Sequence, residues 1–471
     1  MGAPSAVAMF VRLNPRWSTR LEPFGGLAHY LHGHARLLAL NVGAAVLVEL
    51  VRRRPRRRAE LLRVFPEPAS RVLDGLVERG VLIASPLEAR AAGTDEAERD
   101  EIVRLIDGHP KHCLSAPAEI DLYTTLRCNI NCEFCYLSPE TRRTYGPPRM
   151  DPELLDAIVG QAVEERVFSI NFLGGEPFAD PRSIEHALAR HGDRMAFVVT
   201  TNGTLRPSPR LLELLRQDTV TVQFSIHSMD PAVHDEVTRA PGAWEKAWAN
   251  LTLLCESGVD VFVQLVLTRL STREDVLALC RAARRLGARG MAINNLFPGS
   301  HMSVDESARY AMTPDRVGPL AVELNRIRAE LGDTFYVFHK GTYAFVHEDV
   351  TPPRESDLDD FLTEAADGVT SLEILSDGAV YAGIGDLNGA GRPVGHLGRS
   401  SLRSIWRSPA LDRVRGVVRT LQEPCASCRH RAFCKGGNPQ ISLQTVGKPS
   451  GGDLRCPTVW NYLRGAAAPS A

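Results

Sequence analysis

No apolar stretch in this 471-residue chain is long and clean enough to cross a bilayer. The net charge is only -1, so nothing in the overall balance calls for a polyanionic partner. Lysine is scarce, and arginine supplies nearly all of the positive charge. The start, MGAPSAVAMFVRLNPRW, has neither the basic opening nor the long apolar run of a signal peptide, which predicts a cytoplasmic protein. Ten cysteines are too sparse for a disulfide scaffold at this length, and most are clustered, which points to metal binding or redox chemistry. There is no internal repeat and no long low-complexity segment, which excludes a solenoid. What remains is a globular composition, 44% hydrophobic and 24% charged, in a chain long enough for two or three domains.

The texture divides the chain into four parts, at 1–110, 111–310, 311–360 and 361–471. In the first, ARLLAL is strand-like and Asn41 caps the helix VGAAVLVELV. Short helices over AELLRVF and Pro68 to Arg79, then the strand VLIAS after Gly80, suggest a winged-helix module. The run RRRPRRR between its helices reads as a solvated turn, with nucleic-acid contact as the other reading. The stretch DGHPKHCLSAP reads as a linker that leaves Cys113 open to solvent.

From Glu119 strands and helices alternate. The strands are EIDLYTT, FSINFLGG, MAFVVTTN, VTVQFSI, DVFVQLVLT and GMAINNL, with amphipathic helical segments between them. Six such units predict an α/β fold, a partial (β/α)6 barrel with its working loops at the carboxyl ends of the strands. The third part holds a helix around Arg316 to Leu331 and is otherwise hard to place. In the fourth, SLEILSDGAVYAG reads as a hairpin turning at Asp377-Gly378, followed by a cysteine-rich segment. Cys255 and Cys280 lie in helical apolar contexts and read as packed thiols.

LRCNINCEFCY places Cys128, Cys132 and Cys135 in the loop after the first barrel strand, spaced C-x3-C-x2-C. Three thiolates from one short loop can hold three irons of a cubane and leave the fourth iron open. Zinc is the other reading, but no fourth ligand is nearby in sequence. The loop resembles the defining motif of the radical S-adenosylmethionine (SAM) superfamily, with Phe134 in the aromatic position that lies near the adenine in that family. NFLGGEPF, with Gly174, Gly175, Glu176 and Pro177, is similar to the family's GGEP motif, which binds the methionine amino group. Thr201 and Asn202 in TTNGT, Ser225 in QFSIHS and Arg239 in HDEVTRAPGAW match further SAM-pocket positions. The family usually has Asp-Gly where this chain has His227-Ser228, and no role is carried over there. The resemblance implies a 4Fe–4S cluster whose open iron binds SAM, reductive cleavage to a 5′-deoxyadenosyl radical, and hydrogen abstraction from a substrate.

Cys425, Cys428 and Cys434 follow C-x2-C-x5-C, and Cys456 lies beyond them. This part resembles the SPASM and twitch extensions of radical SAM enzymes. The family's ligand assignment implies that these four hold one auxiliary iron–sulfur cluster, of 4Fe–4S type, while Asn438 stands where an inner cluster would have a ligand. Zinc is the alternative occupant of four thiolates. The first part, over LALNVGAAVLVELV and DGLVERGVLIAS, resembles the PqqD-like recognition element of ribosomal peptide maturation, a winged helix that binds an extended leader peptide beside a sheet edge. The Arg-rich turn would then attract an acidic leader. Together these resemblances imply a peptide maturase that installs a crosslink or other C–H modification in a ribosomally made precursor. Its partners would be that precursor peptide and an electron donor such as flavodoxin or ferredoxin, with no membrane and no nucleic acid. The alternatives are a small-molecule radical SAM oxidase and a zinc-containing DNA-binding regulator.

Overall fold

The computed structural model describes residues 9–31, 37–65, 69–85, 96–111, 113–144, 147, 149–297, 299, 301–302, 306, 309–331, 335–340, 368–383, 392–418, 421–434, 436–438, 441–442, 452–453 and 455–463. The end of the connecting segment, 341–360, lies outside the described residues. Two compact units divide the chain, Met1–Ala116 and Pro117–Ala471.

The first unit opens on strands β1 (Phe10–Leu13), β2 (Trp17–Glu22), β3 (Gly25–Tyr30) and β4 (Leu37–Leu40). Helix α1 (Val42–Arg53) follows, and the Asn41 side chain accepts from the Ala44 N–H as expected of an N-cap. Then come β5 (Arg56–Arg57), α2 (Arg58–Val64), α3 (Ala69–Glu78), β6 (Leu82–Ser85) and α4 (Glu96–Asp107). β5 and β6 flank β1 antiparallel, while β2, β3 and β4 form a separate antiparallel sheet. The sequence reading contained neither the β2–β3 hairpin nor α4. The cause for β2 is physical: Arg20 and Glu22 point inward as a buried ion pair at 2.6 Å, so the strand lacks a clean apolar face. Their outer bonds reach the Ala116 carbonyl and the Ser115 N–H, and Cys113 is buried, not solvent-open.

The Arg-rich turn is solvated at Arg53, Arg54 and Arg57 as expected, but most of its charges are paired and Arg56 is buried. Arg52 and Arg53 pair with Glu49, Arg53 also with Glu101, and Arg54 and Arg56 both with Glu98. Arg57 lies over the Phe10 ring, and Arg58 reaches Asp74. Arg56 is fully buried, so its pairing with Glu98 at 2.6 Å fastens α4 onto β5. Much of the turn's charge is paired within the unit.

The second unit follows the expected alternation. Its strands are β7 (Glu119–Thr125), β8 (Ser169–Gly174), β9 (Ala196–Thr201), β10 (Val220–Ser225), β11 (Val261–Leu267) and β12 (Gly290–Asn295), all paired parallel in sequence order. A short helix α5 (Pro139–Thr144) precedes α6 (Pro152–Glu164), and then α7 (Pro181–His191), α8 (Pro209–Leu215), α9 (Pro231–Thr238), α10 (Ala243–Glu256) and α11 (Arg273–Arg285) cover the sheet. Asp151, Ser208 and Asp230 each cap a helix whose first residue is proline, a start signal written into the sequence. The segment that was hard to place continues the alternation: α12 (Pro314–Leu331) leads to β13 (Tyr336–Lys340), parallel to β12. At the other edge β14 (Ser371–Leu375) runs parallel to β7, and β15 (Ala379–Tyr381) and β16 (Gly395–His396) extend the sheet to ten strands among the described residues. The expected hairpin at Asp377-Gly378 is present, but it is built onto the barrel sheet.

Buried parallel strands usually read as unbroken apolar runs. Here each strand alternates. Ile120, Leu122, Ile170, Phe172, Phe197, Val199, Val222, Phe224, Val263, Leu265 and Ile293 are buried under the helices. Between them Asp121, Asn171, Thr200, Gln223, Ser225, Gln264 and Asn294 are partly exposed on the opposite face. The inner face is therefore a polar, open lumen, unlike the packed interior of a closed barrel.

Candidate active site

The cysteine loop leaves β7 at its carboxyl end and is tied down from several sides. Glu133 donates its backbone N–H to the Val237 carbonyl at the end of α9, at 2.9 Å. Arg142 of α5 donates to the Ile130 carbonyl at 3.0 Å and to the Asn131 side chain. The Glu176 N–H donates to the Arg127 carbonyl at 2.8 Å, and Asn129 donates to Thr204 at 2.7 Å. Beneath the loop, Leu126, Leu137 and Tyr123 form a core with Leu375, Ala379 and Tyr381, which joins the loop to the β14–β15 hairpin.

Burial raises the thiol pKa of Cys132, Cys128 and Cys135, and the neighbouring sulfurs add to the effect at Cys132 and Cys128. Three desolvated sulfurs that resist carrying charge together are the donor set that a cationic iron core would convert to thiolates. Among the described residues no three His, Cys, Asp or Glu side chains converge closely enough to hold a single metal ion. A tetrahedral zinc site would need its sulfurs about 3.8 Å apart. A cubane spreads its ligands over separate iron corners.

The GGEP and TTN segments meet beside that loop. Glu176 is fully buried, and its carboxylate accepts from the Thr201 hydroxyl at 2.6 Å, the Phe178 N–H at 2.8 Å and the Asn202 N–H at 2.7 Å. Desolvation lifts its pKa to about 7. Three of its acceptor sites are taken by the fold, which ties the ends of β8 and β9 together. Pro177 opens the short turn that follows and is buried. Asn202 accepts from the Thr204 N–H and hydroxyl, which fixes its amide so that Nδ2 faces Asn129 at 3.0 Å and the Cys128 Sγ at 3.7 Å. Ser225 accepts from Gln264 at 3.0 Å. Arg239 ends α9 in the left-handed region, φ 51°, and bonds Tyr310 at 3.4 Å.

Gly175 has no room for a side chain: a Cβ there would lie 2.2 Å from the carbonyl carbon and oxygen of Arg127. Gly175→Ala is therefore expected to displace the first residues of the cysteine loop. We expect a loss of about 1–3 kcal/mol from overpacking, seen as a lower thermal midpoint together with reduced iron uptake on reconstitution. Wild-type iron content with an unchanged midpoint would contradict this.

His227 was given no role by sequence reasoning, yet it stands at the mouth. Its ring meets Phe134 edge-on at 4.7 Å and stacks on His234 at 5.5 Å. The Val266 N–H donates to His227 Nδ1, so the neutral ring carries its proton on Nε2. Burial, reinforced by His234, pushes its pKa well down and keeps it neutral. Its place just past the end of β10 was the signal available in sequence.

In the cysteine-rich segment Cys425, Cys428, Cys434 and Cys456 line one solvent-open cavity, together with Pro424, His430 and Asp453. Burial and the neighbouring cysteines raise the Cys425 thiol to about 12. Asn438 is buried and structural: its N–H donates to Asp453 at 3.2 Å and its side chain accepts from the Ile441 N–H at 3.3 Å. Of the other cysteines Cys280 is buried and Cys255 is half-buried.

Residues 122–283 match the family model of the radical SAM superfamily, and residues 367–429 match the SPASM iron–sulfur cluster-binding domain. The chain carries a radical SAM domain and a SPASM domain. The PqqA peptide cyclase of Gluconobacter oxydans is 24% identical over 360 residues, 73% of this chain and 91% of that protein. The subtilosin biosynthesis protein AlbA of Bacillus subtilis is 27% identical over 38% of this chain, and the match spans only 39% of that protein. SuiB of Streptococcus suis, solved with its precursor peptide SuiA, superimposes with a TM-score of 0.70 at 19% identity, over 93% of this chain and 98% of SuiB, which establishes the shared fold. The radical SAM domain's cofactors are a 4Fe–4S cluster and SAM, and the SPASM match ends at 429, short of Cys434 and Cys456. Among the described residues no helix is long and apolar enough to cross a membrane.

Proposed function

We propose that this chain is a radical SAM peptide maturase that installs a crosslink or other C–H modification in a ribosomally made precursor peptide. The observation that carries the reading is the convergence of the cysteine loop, the GGEP turn and the TTN turn on the carboxyl mouth of a polar, open lumen. It is joined by similarity to a peptide cyclase over 73% of this chain.

In this reading Cys128, Cys132 and Cys135 hold the SAM cluster. Bound there, the cluster supplies the electron that cleaves SAM, and the radical so produced takes hydrogen from the peptide. Glu176 holds Thr201 and the Asn202 backbone in place, Phe134 and neutral His227 wall the mouth, and Ser225 with Gln264 and Arg239 border the pocket. Asp121, Asn171, Thr200 and Gln223 form a hydrogen-bonded belt across four strands of the lumen, with Asn171 donating to Asp121 and Thr200 linking Asn171 to Gln223. That belt orients the substrate side chain through polar contacts and fixes which C–H faces the mouth. Cys425, Cys428, Cys434 and Cys456 hold an auxiliary cluster with every iron ligated, suited to electron transfer. The leader would add along β4, an edge strand whose Leu37 and Leu38 are partly exposed and which runs into the 41%-exposed Val42. An electron carrier such as flavodoxin or ferredoxin completes the cytoplasmic system.

The test is anaerobic reconstitution with iron and sulfide, reduction with SAM, and addition of a small peptide encoded beside the gene. We expect 5′-deoxyadenosine together with a peptide mass change. A loss of two hydrogens indicates a crosslink or dehydrogenation, and an unchanged mass with label exchange indicates epimerisation. Iron-replete protein that forms no deoxyadenosine with its peptide would overturn the proposal.

A further inference from the structure

The four-cysteine cavity holds one polar side chain whose hydrogen-bonding capacity is not accounted for by the fold. His430 lies between Cys428 and Cys434 and is 5% exposed. Its backbone N–H donates to the Cys428 sulfur at 3.4 Å, so the residue is fixed against one of the four cysteines. Arg429 Nε donates to His430 Nε2 at 3.0 Å. A guanidinium can only donate, so Nε2 is the acceptor and the proton of the neutral ring sits on Nδ1. Nδ1 is buried and has no hydrogen-bond partner. A buried donor left unmade costs about 1–3 kcal/mol, and His430 lines the same cavity as Cys425, Cys428, Cys434 and Cys456.

We propose that His430 Nδ1–H is a hydrogen-bond donor to a sulfur of the auxiliary cluster. The inference rests on the reading of these four cysteines as ligands of an iron–sulfur cluster. The role needs no change of protonation, because Arg429 holds the ring in the tautomer that donates. Hydrogen bonds to cluster sulfurs stabilise the reduced, more negative state and raise the reduction potential. His430 is thus a positioning and tuning residue that makes the auxiliary cluster a better electron acceptor.

The experiment is redox titration of the auxiliary cluster in full-length reconstituted enzyme, read by electron paramagnetic resonance, in wild type, His430→Leu and His430→Asn. Asparagine can present an N–H close to the Nδ1 position; leucine cannot. At the wild-type midpoint we expect the reduced-to-oxidised ratio to fall about tenfold in His430→Leu, a shift of about 59 mV to lower potential. His430→Asn should stay within about twofold of wild type. Beyond the backbone N–H couplings that all three proteins share, such as that of His430 itself on Cys428, one further exchangeable proton coupled to the reduced cluster should appear in wild type and His430→Asn and vanish in His430→Leu, a signature that mere packing would not move. If His430→Leu takes up no cluster, His430→Gln, whose amide lies on the Nε2 side, carries the same comparison with the same expected loss. An unchanged potential, equal shifts in the leucine and asparagine variants, or no exchangeable coupling in wild type that His430→Leu lacks overturns the proposal. Zinc in place of iron at the four cysteines of wild type would overturn the underlying cluster reading instead, and elemental analysis separates the two.

Discussion

Cys132→Ala is expected to reduce 5′-deoxyadenosine formation to background while leaving the auxiliary cluster in place. The sulfur at 132 is the most strongly perturbed of the three in the loop, pressed by burial and by both Cys135 and Cys128. Two thiolates cannot retain a cluster whose fourth iron is already open. Changes that only reorient a metal ligand cost about 10–100-fold in activity or affinity, so removing a ligand should cost more. The loop itself should survive, because its anchors lie elsewhere: the Glu133 N–H on Val237, Arg142 on Ile130, and the Glu176 N–H on Arg127. Iron should fall from about eight to about four per chain, the difference between two cubanes and one. A variant that kept full iron and still released deoxyadenosine would show that Cys132 is not a ligand.

The sequence made the chemistry more legible than the scaffold that carries it. Cys128, Cys132 and Cys135 are spaced by the needs of one loop, so their pattern survives without knowledge of the fold. Most barrel helices were equally visible as amphipathic runs, and Asp151-Pro152 and Ser208-Pro209 mark two of their starts in local chemistry, whereas the short α9 after Asp230 was not read. Three features were hidden for the opposite reason: they depend on partners distant in sequence. The β2 strand buries Arg20 against Glu22 and so breaks the alternation by which strands are recognised. RRRPRRR looked unpaired because two of its carboxylate partners, Glu98 and Glu101, lie some forty residues away. The third part of the chain looked irregular because β13 takes its place only by pairing with β12. Asn438 was noticed as a cysteine's absence, whereas its bonds to Asp453 and Ile441 give it a structural task in the loop beside the cluster cavity. Even the lumen was partly written down, in the alternation of EIDLYTT and DVFVQLVLT, but alternation alone does not say which face is solvent and which is helix-covered.

Glu176 yields the second large effect, and its sign with pH separates a positioning role from ligand contact. Glu176→Ala leaves the Thr201 hydroxyl and the N–H groups of Phe178 and Asn202 without their acceptor. At about 1–3 kcal/mol for each buried group left unmade, with partial relaxation, a loss of about 3–5 kcal/mol is expected. Glu176→Gln should cost less, about 1–3 kcal/mol, because its amide oxygen replaces one acceptor while its NH2 faces a donor. The wild-type carboxyl titrates at about 7 in the fold because burial disfavours its charge, against 4.5 ordinarily. The folded state then holds the proton more tightly than the unfolded chain does. Its contribution to stability is complete below about pH 4.5 and is lost as pH rises through about 7, a swing of about 3 kcal/mol. Thermal unfolding of wild type should therefore show a component that weakens from pH 5 to pH 8, and Glu176→Gln should lack it. Both variants should also bind SAM about 10–100-fold more weakly, since Thr201 and Asn202 lose their anchor. If Glu176→Gln kept the wild-type pH slope, the carboxyl would not be the titrating group; if it kept stability but lost SAM binding, Glu176 would contact the ligand and not merely hold the wall of its pocket.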